Sequence, residues 1–313
     1  MSSSANSTEK SNLTVIVTGA AGVLGRRLVH VLAMDHDVVA VTNEMDLDVS
    51  AEESIRKAKY DLTGVEATAK LLDDVSPDVI VNCAAMTDVD GCETNPVLAR
   101  KVNCGIVESI VGLMDRQNTY FVQISTDYLF DGKSGPYSEE AETNPINVYG
   151  KTKLEAEATV ASFAAKYIII RTSALYDSMN SKRANLFSSL YAPLSQRKTV
   201  KAASDLYCNP IWTLNLARAI SEAIDLNLHG ILNIAGDEYL TRYEFACKLA
   251  KSFGFSTDLV KPVNLADLKR SAPRPLKAGV DVAKARMILK TELLAPKQVF
   301  SHPEFSPIVE KTS

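Results

Sequence analysis

A tyrosine and a lysine four residues apart form the pair of side chains best suited to acid–base chemistry. They are Tyr149 and Lys153, in the run Asn147-Val148-Tyr149-Gly150-Lys151-Thr152-Lys153. On a helix this spacing places a phenol beside an ammonium group. The ammonium favours the phenolate, so a group with a free pKa near ~10 could exchange a proton closer to neutrality. Taken alone the spacing is more typical of a solvated helix face, so its interpretation depends on other segments.

A glycine-rich segment near the amino terminus has the composition of a nucleotide-binding loop. Gly19 would permit a tight turn, Gly22 a close approach of backbone to a pyrophosphate, and Gly25 the packing of helix against strand. A plain strand-to-helix turn is the alternative, and the spacing Gly-x-x-Gly-x-x-Gly differs from the usual Gly-x-Gly-x-x-Gly. The sequence predicts a dinucleotide site that includes Gly19, Ala21, Gly22, Val23, Leu24 and Gly25.

Residues that would hold the adenosine half of the cofactor give conflicting indications. Glu44 and Asp46 would disfavour a ribose 2′-phosphate, whereas Arg26 could pair with one. The predicted cofactor is therefore NADPH or NADH. Asp61 and Leu62 could contact the adenine ring, although an acid at a strand end is also ordinary.

Small and hydroxyl-bearing residues end two further predicted strands. Cys83, Ala84 and Ala85 could let the backbone pass close to a flat cofactor, or they could simply serve packing. Ser125 and Thr126 could hydrogen-bond a substrate carbonyl, or they could cap the following turn. The carboxyl ends of the strands are where open α/β sheets bind ligands, so we expect these residues to share one crevice.

The chemistry of these groups suggests a role for each in carbonyl reduction. Tyr149 would donate a proton to a carbonyl oxygen as hydride arrives. Lys153 would lower the pKa of the phenol and hold the nicotinamide ribose. Thr126 or Ser125 would orient the oxygen. Farther along, Arg274 lies between two prolines and could clamp a phosphate, although a solvated surface arginine fits as well.

Short apolar runs alternate with helical patterns along most of the chain. Strands are predicted at 13–17, 38–41, 78–83, 120–124, 167–170 and 231–234, and helices at 24–32, 65–74, 96–116, 145–165 and 214–224. Asn144 would cap the helix of the Tyr–Lys pair, with Pro145 at its first position. Strands without polar alternation, separated by helices, are typical of a parallel sheet covered on both faces. We predict an α/β fold with a doubly wound (Rossmann) parallel sheet and a smaller C-terminal substrate lobe.

The predicted organisation has a flexible tail at 1–11. The NAD(P)-binding Rossmann domain would comprise 12–172 plus about 213–236, and the substrate-binding lobe about 173–212 plus 237–313. A net charge of −4 over 313 residues gives no indication of a nucleic-acid or membrane surface. The five cysteines lack a Cys-x-x-Cys pair and the four histidines lack ligand spacing, so we expect reduced thiols, no metal site and a cytoplasmic protein.

Together these segments resemble the extended short-chain dehydrogenase/reductase family, and within it the dTDP-4-dehydrorhamnose reductase branch. The most specific segments are Ser125-Thr126-Asp127-Tyr128-Leu129-Phe130-Asp131-Gly132 and Tyr149-Gly150-Lys151-Thr152-Lys153, supported by the glycine loop, 81–90, 136–139 and 272–275. The resemblance covers nearly the whole chain after the tail. It implies catalytic Thr126, Tyr149 and Lys153, and reduction by NAD(P)H of the 4-keto group of a nucleotide-linked deoxysugar, as in dTDP-L-rhamnose biosynthesis. The substrate-binding residues would be Thr87, Ser125, Thr126, Asp127, Tyr128, Asn185 and Arg274.

The sequence departs from the family pattern at two segments that bear on the sugar and on the activity. The tryptophan of the family's Arg-Thr-Ser-Trp-x-Tyr run is here Ala174, and the later Asp-Gln-x-Gly-x-Pro-Thr run is altered at 205–211. The regulatory β-subunit of methionine adenosyltransferase, in the same branch, also lacks that tryptophan. The alternative is therefore a non-catalytic NADP-binding subunit that binds the catalytic subunit of that enzyme. A dehydratase or epimerase fits less well, because Tyr128 stands where a dehydratase has glutamate. The chain could also form a homodimer.

Overall fold

The computed structural model describes residues 12–43, 54–178 and 184–306, so the predicted tail lies outside the described residues. The strands are β1 (Thr14–Thr18), β2 (Asp37–Thr42), β3 (Ile55–Lys59), β4 (Val79–Asn82), β5 (Tyr120–Thr126), β6 (Tyr167–Thr172), β7 (Leu175–Tyr176), β8 (Val200–Ala203), β9 (Tyr207–Cys208), β10 (Ile211–Trp212), β11 (Gly230–Asn233), β12 (Leu240–Thr241) and β13 (Val260–Val263).

The helices connect and cover these strands. They are α1 (Val23–Leu32), α2 (Val65–Val75), α3 (Val89–Thr94), α4 (Pro96–Arg100), α5 (Ile106–Leu113), α6 (Val148–Phe163), α7 (Leu186–Ser195), α8 (Thr213–Asp225), α9 (Arg242–Ser252), α10 (Ala283–Ile288) and α11 (Pro296–Phe300). A π-helical segment, Lys101–Gly105, joins α4 to α5. Within the described ranges, no helix combines the length and the apolar character needed to cross a membrane.

Seven strands form one parallel sheet in the order β11-β6-β5-β4-β1-β2-β3. This confirms the predicted α/β fold with a doubly wound parallel sheet. The strand order reverses between β1 and β4, and such a switch point opens a crevice at the carboxyl ends of the strands. The sequence reading missed β3, because this edge strand is charged and mostly exposed and so lacks an apolar run.

Helices cover both faces of the sheet. On one face α1 and α8 pack against each other over a core that includes Val15, Leu28 and Ile220. On the other face α2, α5 and α6 cover a core that includes Ile16 and Phe121. Alternate residues of β1 therefore serve opposite cores, which is why the strand is continuously apolar.

A third apolar cluster lies away from the sheet. Its largest fully buried members are Trp212, Tyr176, Phe187, Phe245 and Phe305, and it joins α7, α9 and α11. The proposed substrate lobe contains this cluster, although a later stretch, 280–293, contributes residues to the core beneath α1 and α8 instead. The exact division into two lobes stays a prediction.

Two predicted helices differ from those of the structure. The helix expected at 96–116 is divided by the π-helical segment, where the buried Asn103 is held by hydrogen bonds outside its own helix. The helix expected to start at Asn144 and Pro145 begins at Val148, and its N-cap is Asn147. Asn147 caps the helix in place of Asn144 because its side chain both accepts a hydrogen bond from Gly150 N at 2.8 Å and donates one to Pro273 O at 2.9 Å.

Candidate active site

A cavity of about 740 Å³ lies at the carboxyl ends of β1, β4 and β5. The three predicted catalytic residues, Thr126, Tyr149 and Lys153, all line it. So do the predicted binding residues Gly19, Gly22, Val23, Leu24, Gly25, Cys83, Ala85, Thr87, Ser125, Asp127 and Asn185. Residues from five separate parts of the sequence therefore meet at the switch point of the sheet.

The glycine loop forms a tight cradle beside this cavity. Gly19 has a φ of +61°, and a Cβ there would lie 2.7 Å from Ala84 N. A Cβ on Gly25 would lie 2.3 Å from Gly19 O, so the loop can close onto α1 only without that atom. Gly22 is the N-cap of α1 and makes no side-chain capping bond. Helix N-terminal amides that line a cavity in this way fit a phosphate group.

A chain of buried hydrogen bonds runs beneath the cavity from strand to strand. Thr18 Oγ1 donates to Asn82 Oδ1 at 2.6 Å, and Asn82 Nδ2 donates to Gln123 Oε1 at 2.9 Å. Gln123 Nε2 donates to Ile124 O at 2.9 Å, and that oxygen also accepts from Lys153 Nζ at 2.6 Å. The strand that precedes the phosphate loop is thus connected to the catalytic lysine.

A second cavity, of about 270 Å³, continues from the glycine loop toward the ends of β2 and β3. Its lining includes the predicted Ala21, Asp61, Leu62 and Ala84. The Asp61 carboxylate accepts hydrogen bonds from the hydroxyl and amide of Thr63, and these hold its pKa below the usual value. The dimensions of a dinucleotide suit the two cavities together, with the adenosine in the smaller one.

The predicted determinants of the 2′-phosphate lie elsewhere. Glu44 and Asp46 are outside the described residues. Arg26 lines a separate space beside His30, Asp177 and Glu304, not the cavity at the end of β2. The pairing of Arg26 with a 2′-phosphate stays a prediction.

Tyr149 is hydrogen-bonded to the side chain of Thr126. Burial raises the pKa of the phenol, and the bond to Thr126 opposes that rise only in part. The predicted net lowering of this pKa is therefore wrong, because desolvation of the phenolate outweighs the one effect that lowers the pKa, the interaction with Thr126. A phenol with a raised pKa stays protonated at neutral pH and is suited to donate a proton.

Lys153 is buried on α6, one turn beyond Tyr149. Burial lowers the pKa of its ammonium group to about 8, while the carboxylate of Glu157 raises it. Glu157 is in turn paired with Arg171 at 2.8 Å, and both of these side chains are buried. The lysine is thus cationic at neutral pH but close to losing its proton.

Two hydroxyl groups beside the catalytic residues are buried without a hydrogen-bond partner among the described residues. They belong to Ser125 and Thr172, which both line the larger cavity. Because an unsatisfied buried hydroxyl costs free energy, such groups are typical of ligand sites. Thr126, by contrast, also accepts from Tyr128 N at 3.2 Å, so it caps the following turn as well as bonding Tyr149.

Asp127 and Tyr128 follow the catalytic strand and have different surroundings. The Asp127 carboxylate accepts from Ser173 Oγ at 2.6 Å and Gly279 N at 3.0 Å, which ties the strand end to the later segments. Burial raises its pKa. Tyr128 meets the ring of Tyr149 edge to face, with centroids 5.9 Å apart, and lines a neighbouring cavity.

Asn185 and Arg274 are both used in internal contacts. The side-chain oxygen of Asn185 caps α7 by accepting from Phe187 N at 2.9 Å. Arg274 donates to both carboxylate oxygens of Asp90, at 2.8 and 2.9 Å. The phosphate clamp predicted for Arg274 finds no support, because a carboxylate already takes the two parallel donors that such a clamp needs.

Sequence reasoning missed residues that position the site indirectly. Asn103 bonds the main chain of Met86 and donates to Thr152 Oγ1 on α6 at 3.0 Å. The sequence could have indicated this role of Asn103, because a buried asparagine within an apolar helix needs a hydrogen-bond partner. Ser173 and Leu175 also line the larger cavity, and they flank Ala174 in the run that the family resemblance singled out.

Comparison with known proteins gives consistent relatives. Residues 13–299 match the family described as RmlD substrate binding domain. A probable low-salt glycan biosynthesis reductase, Agl14, from Haloferax volcanii is 32% identical over 85% of this chain and 89% of its own length. The crystal structure of a hypothetical dTDP-4-dehydrorhamnose reductase from Sulfolobus tokodaii is 35% identical, with a TM-score of 0.80 over 90% of this chain and 97% of that one. The methionine adenosyltransferase 2 subunit beta of Mus musculus is 28% identical over 86% of this chain and 80% of its own length.

Proposed function

This chain belongs to the RmlD substrate binding domain family, and we propose that it is an NAD(P)H-dependent reductase of the 4-keto group of a nucleotide-linked deoxysugar. Its type would be that of the dTDP-4-dehydrorhamnose reductases. One observation carries the proposal: the hydrogen-bonded Thr126 and Tyr149 share a cavity with Lys153 and with the phosphate loop. An acid and a dinucleotide cradle in one cavity are what carbonyl reduction needs.

Reduction of a ketone adds a hydride to the carbon and a proton to the oxygen. The bound dinucleotide supplies the hydride. Tyr149 supplies the proton, since burial raises the pKa of the phenol and keeps it protonated, and the side chain of Thr126 lies beside it. The unpaired hydroxyl of Ser125 can donate a second hydrogen bond to the same oxygen.

Lys153 places a positive charge beside the reacting groups. One N–H donates to Ile124 O, and the others can bind the ribose hydroxyls of the cofactor. Its charge also stabilises the phenolate left when Tyr149 has given up its proton. This stabilisation of the anion eases proton transfer, although burial keeps the net pKa of the phenol raised.

The cofactor is NADPH or NADH, and the cradle of the glycine loop supports either. The substrate would be a nucleotide sugar. We expect the protein to lie in the cytoplasm, and we also propose that it forms a homodimer. The regulatory alternative, in which the chain binds a methionine adenosyltransferase catalytic subunit, has the mouse relative in its favour. The shared cavity of acid, lysine and phosphate loop favours the reductase.

The test follows oxidation of NADPH and of NADH at 340 nm with a panel of 4-keto deoxysugar nucleotides. Tyr149→Phe keeps the ring but removes the proton donor, so we expect kcat to fall roughly 10²–10⁴-fold. Cofactor affinity, measured by fluorescence titration, should stay within about twofold, because the ring still packs against Tyr128.

Full activity in Tyr149→Phe would overturn the assignment of the acid. Failure of the wild-type protein to oxidise either cofactor with any keto-sugar nucleotide, together with co-elution with a methionine adenosyltransferase catalytic subunit on size exclusion, would favour the regulatory alternative.

A further inference from the structure

A short path of polar side chains leads from the catalytic tyrosine into the protein interior. Thr126 lies between Tyr149, with which it is hydrogen-bonded, and the buried carboxyl group of Asp127. Thr126 Oγ1 donates to Asp127 Oδ1 at 3.3 Å. A hydroxyl group can accept one proton while it donates its own. A threonine between a phenol and a carboxyl group can therefore pass a proton from one to the other.

The two oxygens of the Asp127 carboxyl group have different partners. Oδ2 accepts from Ser173 Oγ at 2.6 Å and from Gly279 N at 3.0 Å, and these two donors hold the group in place. Oδ1 accepts from Thr126, and the described residues provide no second donor to it. An added proton would therefore sit on Oδ1, the oxygen bonded to the threonine hydroxyl.

The surroundings of Asp127 favour its protonated form. The residue is 3% exposed, and burial raises the pKa of its carboxyl group. The hydrogen bonds to the carboxylate and the cation of Arg242, on α9, oppose this rise only in part. The other titratable groups that face it are neutral at neutral pH, because burial raises the pKa of each; they are Tyr128, Tyr149, Cys208 and Tyr239. Of the described carboxyl groups with a shifted pKa, Asp127 is the one in which the shift is upward.

We propose that Asp127 stores the proton that restores Tyr149 after each turnover, and that Thr126 passes this proton on. The inference rests on the proposed function for the reaction that consumes the proton of Tyr149. When the phenol O–H bond breaks and the O–H bond of the product alcohol forms, Tyr149 is left as a phenolate. Thr126 Oγ1 then gives its proton to the phenolate oxygen and takes the proton of Asp127 Oδ1, which leaves Asp127 as a carboxylate. This step moves two protons and changes no oxidation state.

Asp127 regains its proton from solvent between turnovers. It lines the larger cavity, so departure of the product gives water access to it. While the carboxylate is charged, the two donors to Oδ2 and the nearby cation of Arg242 stabilise it. Because Asp127 acts through Thr126, it contributes to turnover without contact with the substrate.

Rapid mixing of Asp127→Asn with NADPH and a 4-keto deoxysugar nucleotide separates the first turnover from later ones. Asparagine keeps the size of the side chain and can still accept from Ser173 and Gly279, but it stores no proton. Tyr149 starts protonated, so the rate of the first turnover should stay within about threefold of the wild type. Later turnovers must draw the proton from solvent, so kcat should fall roughly tenfold or more. The variant should therefore show a burst of about one NADPH oxidised per site, larger than any burst of the wild type.

The pH dependence gives a readout that a merely structural role would not change. Between pH 6 and 7.5 Lys153 stays cationic, since its pKa is about 8. In Asp127→Asn, kcat should decline by about tenfold per pH unit over this range, because the proton comes from solvent, while the first turnover stays level. In the wild type both rates should be nearly level.

Ser173→Ala is the matched control, because it removes one donor to Oδ2 and leaves the path through Oδ1 intact. Its first and later turnovers should change by the same factor. NADPH titration and thermal unfolding establish that each variant is folded. If Asp127→Asn is not, infrared spectra of the wild-type protein at pH 6.5 test the stored proton directly. The carbonyl stretch of a protonated carboxyl group should be present there, at a pH where ordinary carboxyl groups are ionised.

Equal rates of first and later turnovers in a folded Asp127→Asn would overturn the inference, as would a wild type without a protonated carboxyl group at pH 6.5. If the wild type turns over while Asp127→Asn shows no burst, the relay is wrong and the proposed function stands. If the wild type oxidises neither cofactor with any keto-sugar nucleotide, the proposed function fails and the relay fails with it.

Discussion

The two sides of the candidate site differ in how the chain builds them. The cofactor side consists largely of backbone and small residues from one short stretch, 18–25, and from adjacent strand ends. The substrate side is assembled from side chains of α3, α7, α9 and the segment 265–274, which are far apart in the sequence. Local spacing therefore determines the first side, whereas tertiary pairing of charges determines the second.

The largest expected effect is on the cofactor side, where backbone must touch backbone. In Gly25→Ala the new Cβ would lie 2.3 Å from Gly19 O, so the loop must shift. We expect affinity for NADPH and NADH to fall more than about 100-fold, because the amides that bind the phosphates would move with the loop. Fluorescence titration of each cofactor measures this.

Gly112→Ala is the matched control for that variant. This glycine of α5 has no atoms within 4 Å of the position of a Cβ. We expect unchanged cofactor affinity and a gain of about 0.5–1 kcal/mol in the free energy of unfolding, since alanine favours the helix. Similar cofactor affinities in the two variants would contradict the description of a closed cradle.

The second prediction is that pH changes the rate of reduction but not the affinity for dTDP. Lys153 has a pKa of about 8, so its charge is present below pH 8 and lost above it. Facing it are Glu157, which is paired with Arg171, and Cys83, whose pKa burial raises to about 12. We expect kcat/KM to decline above pH 8 by about tenfold per unit once the lysine is neutral.

Binding of dTDP gives the contrast within the same pH range. The guanidinium groups that line the neighbouring cavity remain charged at all these pH values, so dTDP affinity should be nearly constant from pH 6.5 to 9. A rate that stays level to pH 9.5, or a dTDP affinity that falls in step with the rate, would break the proposed separation.

The smallest effect is expected at the ion pair between Asp90 and Arg274 on the substrate side. Asp90→Asn removes the charge that binds Arg274, and Asp90 also accepts from Ala272 N at 2.9 Å. Because the pair is partly exposed, we expect a loss of about 1–2 kcal/mol in the free energy of unfolding. Substrate KM should rise a few-fold while cofactor affinity is unchanged.

The exposed Asp267→Asn provides a comparison for this variant, since Asp267 lines none of the three cavities. Chemical denaturation and steady-state kinetics measure both variants. Equal losses of cofactor and substrate affinity in Asp90→Asn would indicate that the two sides are not independent.

The same difference explains what could be predicted from the sequence. Gly19, Gly22 and the buried strands follow from local spacing and apolar runs, and the sheet confirmed those strands. The edge strand β3 was missed because exposure leaves it charged. The direction of the Tyr149 pKa could not be predicted, since it depends on how much protein surrounds the phenol.

The substrate side shows the limit of local reading most clearly. Arg274 stood out because prolines flank it, yet only the fold shows that Asp90 takes its donors. A charged residue's function depends on the charges that other segments bring to it.

The buried hydrogen-bond chain from Thr18 through Asn82 and Gln123 to Lys153 has a consequence for how this protein can change over time. Each amide in it has one orientation that satisfies both neighbours, so a replacement at one position leaves the next donor or acceptor unmatched. Tolerated substitutions along the chain should therefore come in compensating pairs. We therefore expect the residues beneath the nucleotide loop and those that hold Lys153 to change together in evolution.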